Sequence, residues 1–169
     1  MILKTCKLLL CLISLIAYFG SGCYSFKDVS IPPEVKTVQV QYIENRARII
    51  NPQLSQRLTD KLRQKIINQT RLTQLNSDEA HYVIGGQITD YSVSTSGISG
   101  QQAASNRLNV TMHLVFKNRL DETKNFETDL NRSFDFNASL SLNQAENQLT
   151  DLIVQNMTDE IFNRIFSNW

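Results

Sequence analysis

The stretch "RLNVTMHLVF", residues 107–116, alternates polar and apolar residues from Arg107 to Leu114 and ends on the apolar pair Val115–Phe116. The polar positions inside it are Asn109, Thr111 and His113. Because successive side chains of a β-strand point to opposite faces, this period of two predicts a long strand with one buried and one polar face. Such a strand needs a covering layer on its apolar face only.

Two further segments also alternate apolar and polar residues. The stretches "YVIGGQI" (82–88) and "NFETDLNRSFDF" (125–136) also place apolar residues at alternate positions. The pair Gly85–Gly86 in the first predicts a bulge or a close approach of another backbone. We therefore expect three long antiparallel strands that pack against helices.

A fourth strand is predicted earlier in the chain, in "VKTVQVQYI", residues 35–43. There Val38, Val40 and Tyr42 alternate with polar residues, which is typical of a half-buried strand. Pro32 and Pro33 precede it and mark the end of a tether, since proline cannot belong to a central strand.

Two amphipathic helices complete the pattern. Asn51 and Pro52 are a typical N-cap and first helical residue, and the stripe that follows is Leu54, Leu58, Leu62 and Ile66. Ser141 and Gln144 predict a capping box for a second helix from Leu142 to about Phe166.

The order of these elements is β-α-β-β-β-α. Two helices packed on one face of a four-stranded sheet would bury all the apolar stripes in one core, so we expect an α+β fold. Residues 35–169 are long enough for a single domain of this kind.

The N-terminus has the features of a secretory signal peptide over residues 1–22. Lys4 and Lys7 precede the uncharged run Leu8–Phe19, which is too short to span a bilayer.

Cys23 follows Ser21 and Gly22, and this arrangement resembles the lipobox of bacterial lipoproteins, in which the cysteine thiol is acylated. Gly20 departs from that pattern, where an aliphatic residue is usual. Residues 23–34 would then be a lipidated tether that binds the membrane through acylated Cys23. The alternative is an ordinary secreted protein with a stray cysteine.

The net charge of the chain and the distribution of its basic residues restrict the classes of molecule that it could bind. The chain has 17 Lys and Arg against 16 Asp and Glu, which argues against a nucleic-acid partner. Basic residues nevertheless cluster between positions 46 and 71. Such side chains suit an anionic lipid such as lipopolysaccharide, and the candidates are Arg46, Arg48, Arg57 and Lys61. The alternative is a solvated helix face that keeps the protein soluble.

The segment "STSGISGQQAAS", residues 94–105, has neither charge nor aromatic residues. Its composition predicts a mobile loop or hairpin tip, whose central residues are Ser96, Gly97, Ile98, Ser99, Gly100 and Gln101. A flexible connection without any task is the alternative.

Residues for catalysis are scarce. His81 and His113 are the only histidines, and neither has the spacing of a metal site. There is also no phosphate-binding loop or nucleophile elbow in the sequence. We therefore expect no catalytic residue, no metal and no cofactor, and a protein that is not an enzyme.

Taken in order, several stretches resemble the LptE family of lipopolysaccharide-assembly lipoproteins, in its Bacteroidota-type form. They are "GCYSF", "SIPPEVKTVQVQYIENRARIINPQLSQRLTDKLRQKI", "NQTRL", "NRL" and "FDFNASLSLNQAENQL" with "DEIFNRIFSNW". The resemblance covers nearly the whole chain after Cys23. It implies a two-helix, four-strand sandwich of the kind expected from the pattern.

The resemblance also implies a non-enzymatic role. Members of this family plug the large outer-membrane β-barrel LptD, assist its assembly and help to move lipopolysaccharide to the cell surface. It thus implies an outer-membrane lipoprotein on the periplasmic side, with an LptD-type barrel and lipopolysaccharide as partners. Residues 94–105 are the candidate for reaching into the barrel lumen. A free-standing lipopolysaccharide carrier is the alternative.

Overall fold

The computed structural model describes residues 31–99 and 102–167, without the side chains of residues 98–103. In chain order the elements are β1 (Thr37–Val40), β2 (Glu44–Asn45), α1 (Pro52–Gln69), β3 (Thr73–Gln74), β4 (Tyr82–Ser99), β5 (Gln102–Asn118), a 3-10 helix (Glu122–Lys124), β6 (Phe126–Asn137) and α2 (Leu142–Phe166).

The strands form one mixed sheet in the order β3-β1-β4-β5-β6, with β2 also paired to β4. Strands β4, β5 and β6 are antiparallel, as predicted, whereas the pairs β1–β3, β1–β4 and β2–β4 are parallel. The α+β class with two helices is confirmed. The predicted number of four strands is wrong, because β2 and β3 have two residues each and are too short to show a period of two.

Both helices begin where the capping residues predicted. The Asn51 side chain accepts hydrogen bonds from the backbone N–H groups of Gln53 and Leu54. At α2, both hydrogen bonds of the Ser141–Gln144 capping box are present. These bonds satisfy backbone donors that the first turn of a helix leaves without partners.

A single core lies between the helix layer and one face of the sheet. The predicted stripe of α1 is buried in full, and so are the alternate apolar residues of β5 from Leu108 to Phe116. The α2 helix contributes a second set, which comprises Ala145, Ile153, Val154, Met157, Ile161, Phe162 and Phe166. Each stripe buries apolar area that is worth about 25 cal/mol per Å².

Tyr42 does not share the buried face of the first strand, as its alternation with Val38 and Val40 predicted. Strand β1 ends at Val40, and Tyr42 is 50% exposed. The buried residue is instead Ile43, whose backbone N–H donates to the Thr59 hydroxyl of α1 at 3.1 Å. The chain therefore bonds to the helix at Ile43, and the alternation of buried and exposed residues in β1 does not continue to Tyr42.

Of the two predictions for segment 94–105, a mobile loop or a hairpin tip, the structure agrees with the hairpin, since its described residues are paired strand. Strand β4 continues to Ser99 and β5 begins at Gln102, so Ser96, Gly97, Ile98 and Ser99 belong to a strand. Pairing with the opposite strand stabilises this polar ribbon, and Ser96 and Ser105 also share a side-chain hydrogen bond of 3.0 Å. Gly100 and Gln101 lie outside the described residues.

The predicted signal peptide, Cys23 and most of the tether also lie outside the described residues. The assignment of residues 35–169 to a single domain stays a prediction. Within the part of the chain that the structure covers, neither helix is both long and apolar enough to cross a membrane.

Candidate interaction surfaces

The sheet face opposite the helices is a polar surface, which we call the open face. It is built from the outward-pointing residues of β4, β5 and β6, and its side chains bond to one another across the strands. The β5–β6 pairs are Arg107–Asp135 (2.8 and 3.1 Å), Asn109–Ser133 (2.8 Å) and Thr111–Asn131 (2.6 Å).

The register of the two strands explains these bonds. Each of the three pairs consists of residues that face each other directly in the β5–β6 ladder. Directly opposed side chains on one sheet face lie close enough to interact, and opposite charges there are favourable. The open face is therefore a polar surface whose side chains are held in place.

His113 lies on this open face, as its position in the strand predicted. Its Nδ1 lies 2.8 Å from Asp129 and its Nε2 lies 3.3 Å from Glu127. The hydrogen bond to Asp129 is the largest cause that raises the pKa of His113, and Glu127 adds to it. Among the described residues, no group of three or more His, Cys, Asp or Glu side chains is arranged to hold a metal ion.

A shallow depression of about 350 Å³ adjoins His113 on the open face, and Arg46 lines it. Arg46 forms an ion pair of 2.8 Å with Glu44, and both side chains are mostly exposed. The depression therefore contains an arginine whose charge is already matched, and exposed pairs of this kind contribute little to stability.

Arg57 and Lys61 lie elsewhere, in a groove of about 350 Å³ between α1 and α2. Arg57 pairs with Asp151 of α2 at 3.1 Å. Lys61 is exposed and lines the same groove together with Asp60, and Val154 of α2 also lines it. The groove offers two cations and two carboxylates to a ligand.

The structure does not bring the four basic candidates together. Arg46 is on the open face, whereas Arg57 and Lys61 are on the helix layer at the other side of the domain. Arg48 is exposed in the connection that leads to α1. These residues are therefore close in sequence but do not form one basic site in the fold. Lipopolysaccharide binding by them stays a prediction.

Other basic residues of segment 46–71 have structural contacts. Lys65 pairs with Asp159 of α2 at 2.7 Å and lies 5.0 Å from the centre of the Phe162 ring. Arg63 donates to the backbone carbonyl of Val40 at 2.8 Å. Part of the basic cluster thus joins α1 to α2 and to the sheet, and it does not form a ligand site.

A buried polar cluster escaped the sequence analysis. Tyr91 of β4 is 1% exposed, and its hydroxyl donates to Glu146 of α2 at 2.9 Å. The Asn51 side chain donates to the same carboxylate oxygen at 3.2 Å. Burial, followed by the hydrogen bond to Glu146, raises the pKa of the Tyr91 hydroxyl. The cluster joins the sheet and both helices at one end of the core.

Beyond Tyr91 strand β4 leaves the core, whereas β5 is still buried at Leu108, opposite Val93. Every β4 residue from Ser92 to Gly97 is at least partly exposed. Across the hairpin, the Asn109 side chain donates to the Ser94 hydroxyl at 3.3 Å. We call this part of β4 and β5, residues 92–105, the hairpin arm.

The fold is that of small bacterial lipoproteins. The chain is similar to a minor lipoprotein from Acinetobacter baumannii (TM-score 0.52, 15% identity, 78% of this chain and 92% of that one). It is also similar to an uncharacterised lipoprotein B from Nitrosomonas europaea (0.51, 15%, 81% and 89%) and to a hypothetical protein from Chlamydia trachomatis (0.56, 12%, 77% and 95%). At these identities the likeness shows the fold alone.

Sequence identifies the family. The model of the LptE family, described as lipopolysaccharide-assembly, matches residues 35–167. The chain belongs to the LptE family. No curated protein sequence matches it. A general role in lipopolysaccharide assembly follows from the family, and the Bacteroidota-type form stays a prediction.

Proposed function

We propose that this chain is an outer-membrane lipoprotein that plugs the lumen of an LptD-type β-barrel, helps to assemble that barrel and so supports lipopolysaccharide transport to the cell surface. The proposal makes the protein a structural partner and not an enzyme, and it involves no cofactor. The observation that carries it is the combination of the open face with the exposed hairpin arm.

The interior of a large outer-membrane barrel is polar and filled with water. A body inside it therefore has to present polar groups whose charges are matched. The open face meets this condition, because Arg107 is bonded to Asp135 and His113 lies between two carboxylates. Cross-strand bonding also holds these side chains in fixed positions, which lowers the entropy cost of forming an interface.

The hairpin arm is the part that we propose to reach farthest into the lumen, with Ser96–Gln101 at or near its end. Its support is that β4 and β5 stay paired as far as Ser99 and Gln102, beyond the point where β6 ends at the pair Ser105–Asn137. A paired ribbon holds its direction, whereas a flexible loop does not. Deletion of residues 96–101 should weaken the association with the barrel and increase outer-membrane permeability.

Acylation of Cys23 would place the domain on the periplasmic side of the outer membrane. The Cys23→Ala variant should leave the outer-membrane fraction and remain folded, since residues between Ile31 and Phe166 build the core. Fractionation of cells that express the variant checks this. Retention of Cys23→Ala in the outer membrane would show that the barrel alone is sufficient to hold the protein there.

Direct contact with lipopolysaccharide is a further part of the proposal. Because the basic candidates lie in different places, two double variants test it separately. Arg57→Glu with Lys61→Glu changes the groove between the helices, whereas Arg46→Glu with Arg48→Glu changes basic residues outside this groove. Weaker binding of purified lipopolysaccharide in only one double variant would identify the contact surface. Unchanged binding in both, with unchanged thermal unfolding, would dismiss all four residues.

The decisive test of the plug is copurification. Tagged full-length protein, extracted from envelopes in mild detergent, should bring with it a large β-barrel protein in about equal amount. If the lipoprotein is recovered alone and still binds lipopolysaccharide, it is the free-standing carrier and the plug proposal is wrong.

A further inference from the structure

We propose that the outer edge of β4, over residues Asp90–Thr95, accepts an extended segment of the barrel protein as an additional strand of the sheet. This inference rests on the proposed function, because it takes the barrel as the partner. It goes beyond that function by naming the surface, the type of bond and the character of the partner segment.

The edge is open in this fold. Strands β1 and β2 pair with β4 only as far as Ile88. Beyond Ile88, within residues 31–99 and 102–167, β4 has β5 as its sole neighbouring strand. About half of the backbone N–H and C=O groups from Asp90 to Thr95 therefore point away from the sheet, because a strand alternates the sides to which it bonds.

This stretch of β4 is regular enough to receive a strand. The register with β5 shifts between Ile88 and Asp90 and again between Thr95 and Gly97. Between these irregularities, Asp90 to Thr95 pair in unbroken succession with Thr111 to Asn106 of β5. Six residues of extended chain present a straight edge of about 20 Å.

The two long edges of the sheet differ in the number of charged residues that would prevent pairing with another strand. Edge strands of soluble proteins usually carry charges that prevent pairing with other chains. On β6, the other long edge, there are four charged residues, Glu127, Asp129, Arg132 and Asp135. Over Asp90–Thr95 the β4 edge has one charged residue, Asp90, and the rest are Tyr91, Ser92, Val93, Ser94 and Thr95. The unprotected edge is the one that a partner strand would cover.

The size of the edge favours the barrel over a second copy of this chain. Stable interfaces between two proteins bury roughly 1,200–2,000 Å² in total, and six paired residues supply only a part of that area. A barrel segment would instead be held beside the edge by the rest of the plug interface. Its pairing is then effectively intramolecular, and a short strand suffices.

The side chains specify the partner segment. Val93 is 38% exposed on the helix side of the ribbon, and Ile50, next to the Asn51 cap that meets the Tyr91 cluster, is 64% exposed. Ser92 and Ser94 point to the open face, as shown by their pairing with Asn109 and Arg107. The segment should be uncharged, with an apolar residue opposite Val93 and Ser, Thr or Asn on either side of it.

Photo-cross-linking in cells tests the edge. The full-length chain carries p-benzoylphenylalanine at position 93 or 94, and the matched control carries it at position 67, an exposed site on α1 outside the open face and the hairpin arm. After irradiation, purification and peptide mapping should find positions 93 and 94 joined to one short barrel segment. The yield there should exceed that at position 67 several-fold, because the photoreactive group joins only to atoms that lie beside it.

The Val93→Lys variant adds a second measurement. A lysine on the edge should block strand addition and lower the amount of copurified barrel, while circular dichroism and the melting temperature stay near those of the unchanged protein. Ile67→Lys, at an exposed apolar residue of α1 outside the open face and the hairpin arm, is the matched control and should leave copurification unchanged.

Each outcome has a definite meaning. If the barrel copurifies but positions 93 and 94 do not cross-link to it, the strand-addition inference is wrong and the plug stands. A cross-linked product of twice the lipoprotein's mass would assign the edge to a second copy and overturn the inference. Absence of the barrel from both experiments would overturn the plug and the inference together.

Discussion

At the scale of single residues, the Tyr91 cluster shows how a bulge hides a buried position from sequence analysis. The register shift between Ile88 and Asp90 changes the parity of β4, so that Tyr91 and not Asp90 faces the core. A strict period of two from Ile84 and Ile88 would put Tyr91 on the polar face. The bulge is set by pairing with β5, which the local sequence does not contain.

Replacement of Tyr91 by Phe tests the energetic role of this cluster. It removes a hydrogen bond to the Glu146 carboxylate and leaves the ring in the core. We expect the free energy of unfolding to fall by about 1–2 kcal/mol, since hydrogen bonds to charged groups are stronger than neutral ones. Urea denaturation of the chain that begins at Tyr24 measures it. Tyr42→Phe, at a half-exposed tyrosine, should change stability by less than about 0.5 kcal/mol. Equal losses would contradict this role.

His113 gives the protein a pH-dependent stability near neutrality. Its pKa in the folded state is raised above the ordinary value of 6.5, first by the hydrogen bond to Asp129 and then by Glu127. The stabilisation is therefore complete below pH 6.5 and is lost as the pH rises through the raised pKa of the folded state. Urea midpoints should decline over that range, and His113→Gln should flatten the decline.

The carboxyl groups of Asp135 and Asp121 titrate at acidic pH, well below the range of His113. Their effect on stability is therefore a control for the effect of His113. The pKa of Asp135 is lowered from 3.8, mainly by the hydrogen bond from Arg107, and that of Asp121 is lowered mainly by the hydrogen bond from Thr123. Their stabilisation is present above pH 3.8 and is lost as the pH falls. A decline above pH 6.5 that persists in His113→Gln would show that another group causes it.

At the scale of elements, the two glycines of the Gly85–Gly86 pair differ in what lies next to them: backbone of the neighbouring strand at Gly86 and a side chain at Gly85. A Cβ at Gly86 would overlap the backbone carbonyl of His113 and approach Met112 Cε at 2.8 Å, whereas one at Gly85 would meet the side-chain end of Gln41. The predicted close backbone approach is thus confirmed, and Gly86 is the residue that makes it. A backbone atom of a central strand cannot move aside, but a glutamine side chain can.

Gly86→Ala should therefore destabilise the fold by about 2–3 kcal/mol, as overpacking against a rigid neighbour does. Gly85→Ala is the matched control and should cost less than about 1 kcal/mol, because the Gln41 side chain can rotate away. Thermal unfolding of both variants measures the difference. Equal melting temperatures for the two variants would contradict the close approach at Gly86.

The elements that the sequence predicted are those with enough length to show a period. The 18 residues of α1 and the 25 of α2 carry full apolar stripes and recognisable caps, so their starts were found correctly. The composition of the hairpin arm predicted either a mobile loop or a hairpin tip, because serine and glycine are typical of turns. Its strand structure was not predicted, since it depends on pairing between β4 and β5. The ion pair between Arg57 and Asp151 joins residues 94 positions apart, so local sequence gave no signal for it.

At the scale of the whole molecule, the helices and the sheet share one core and neither layer is stable alone. The buried cluster joins apolar residues of the helices and of the strands, for example Leu58 of α1, Met112 of β5 and Ile161 of α2. An amphipathic helix that loses its sheet exposes its apolar stripe to water, and a sheet that loses its helices does the same. A plug that enters a barrel as one rigid unit needs this mutual dependence.

We therefore expect the domain to unfold in a single cooperative transition. Ile153→Val in α2 and Ile88→Val in β4 remove one methylene each from sites that are 1% and 0% exposed, and each should cost about 0.5–1.5 kcal/mol. In both variants, far-UV circular dichroism, which reports the helices, and near-UV circular dichroism, which reports the buried tyrosines, should shift to the same lower urea midpoint with an unchanged slope. If Ile153→Val moved the helix signal alone, the helix layer would be an independent unit. The hairpin arm and the open face would then belong to a sheet that folds without it, and rigidity could not be part of how the proposed plug works.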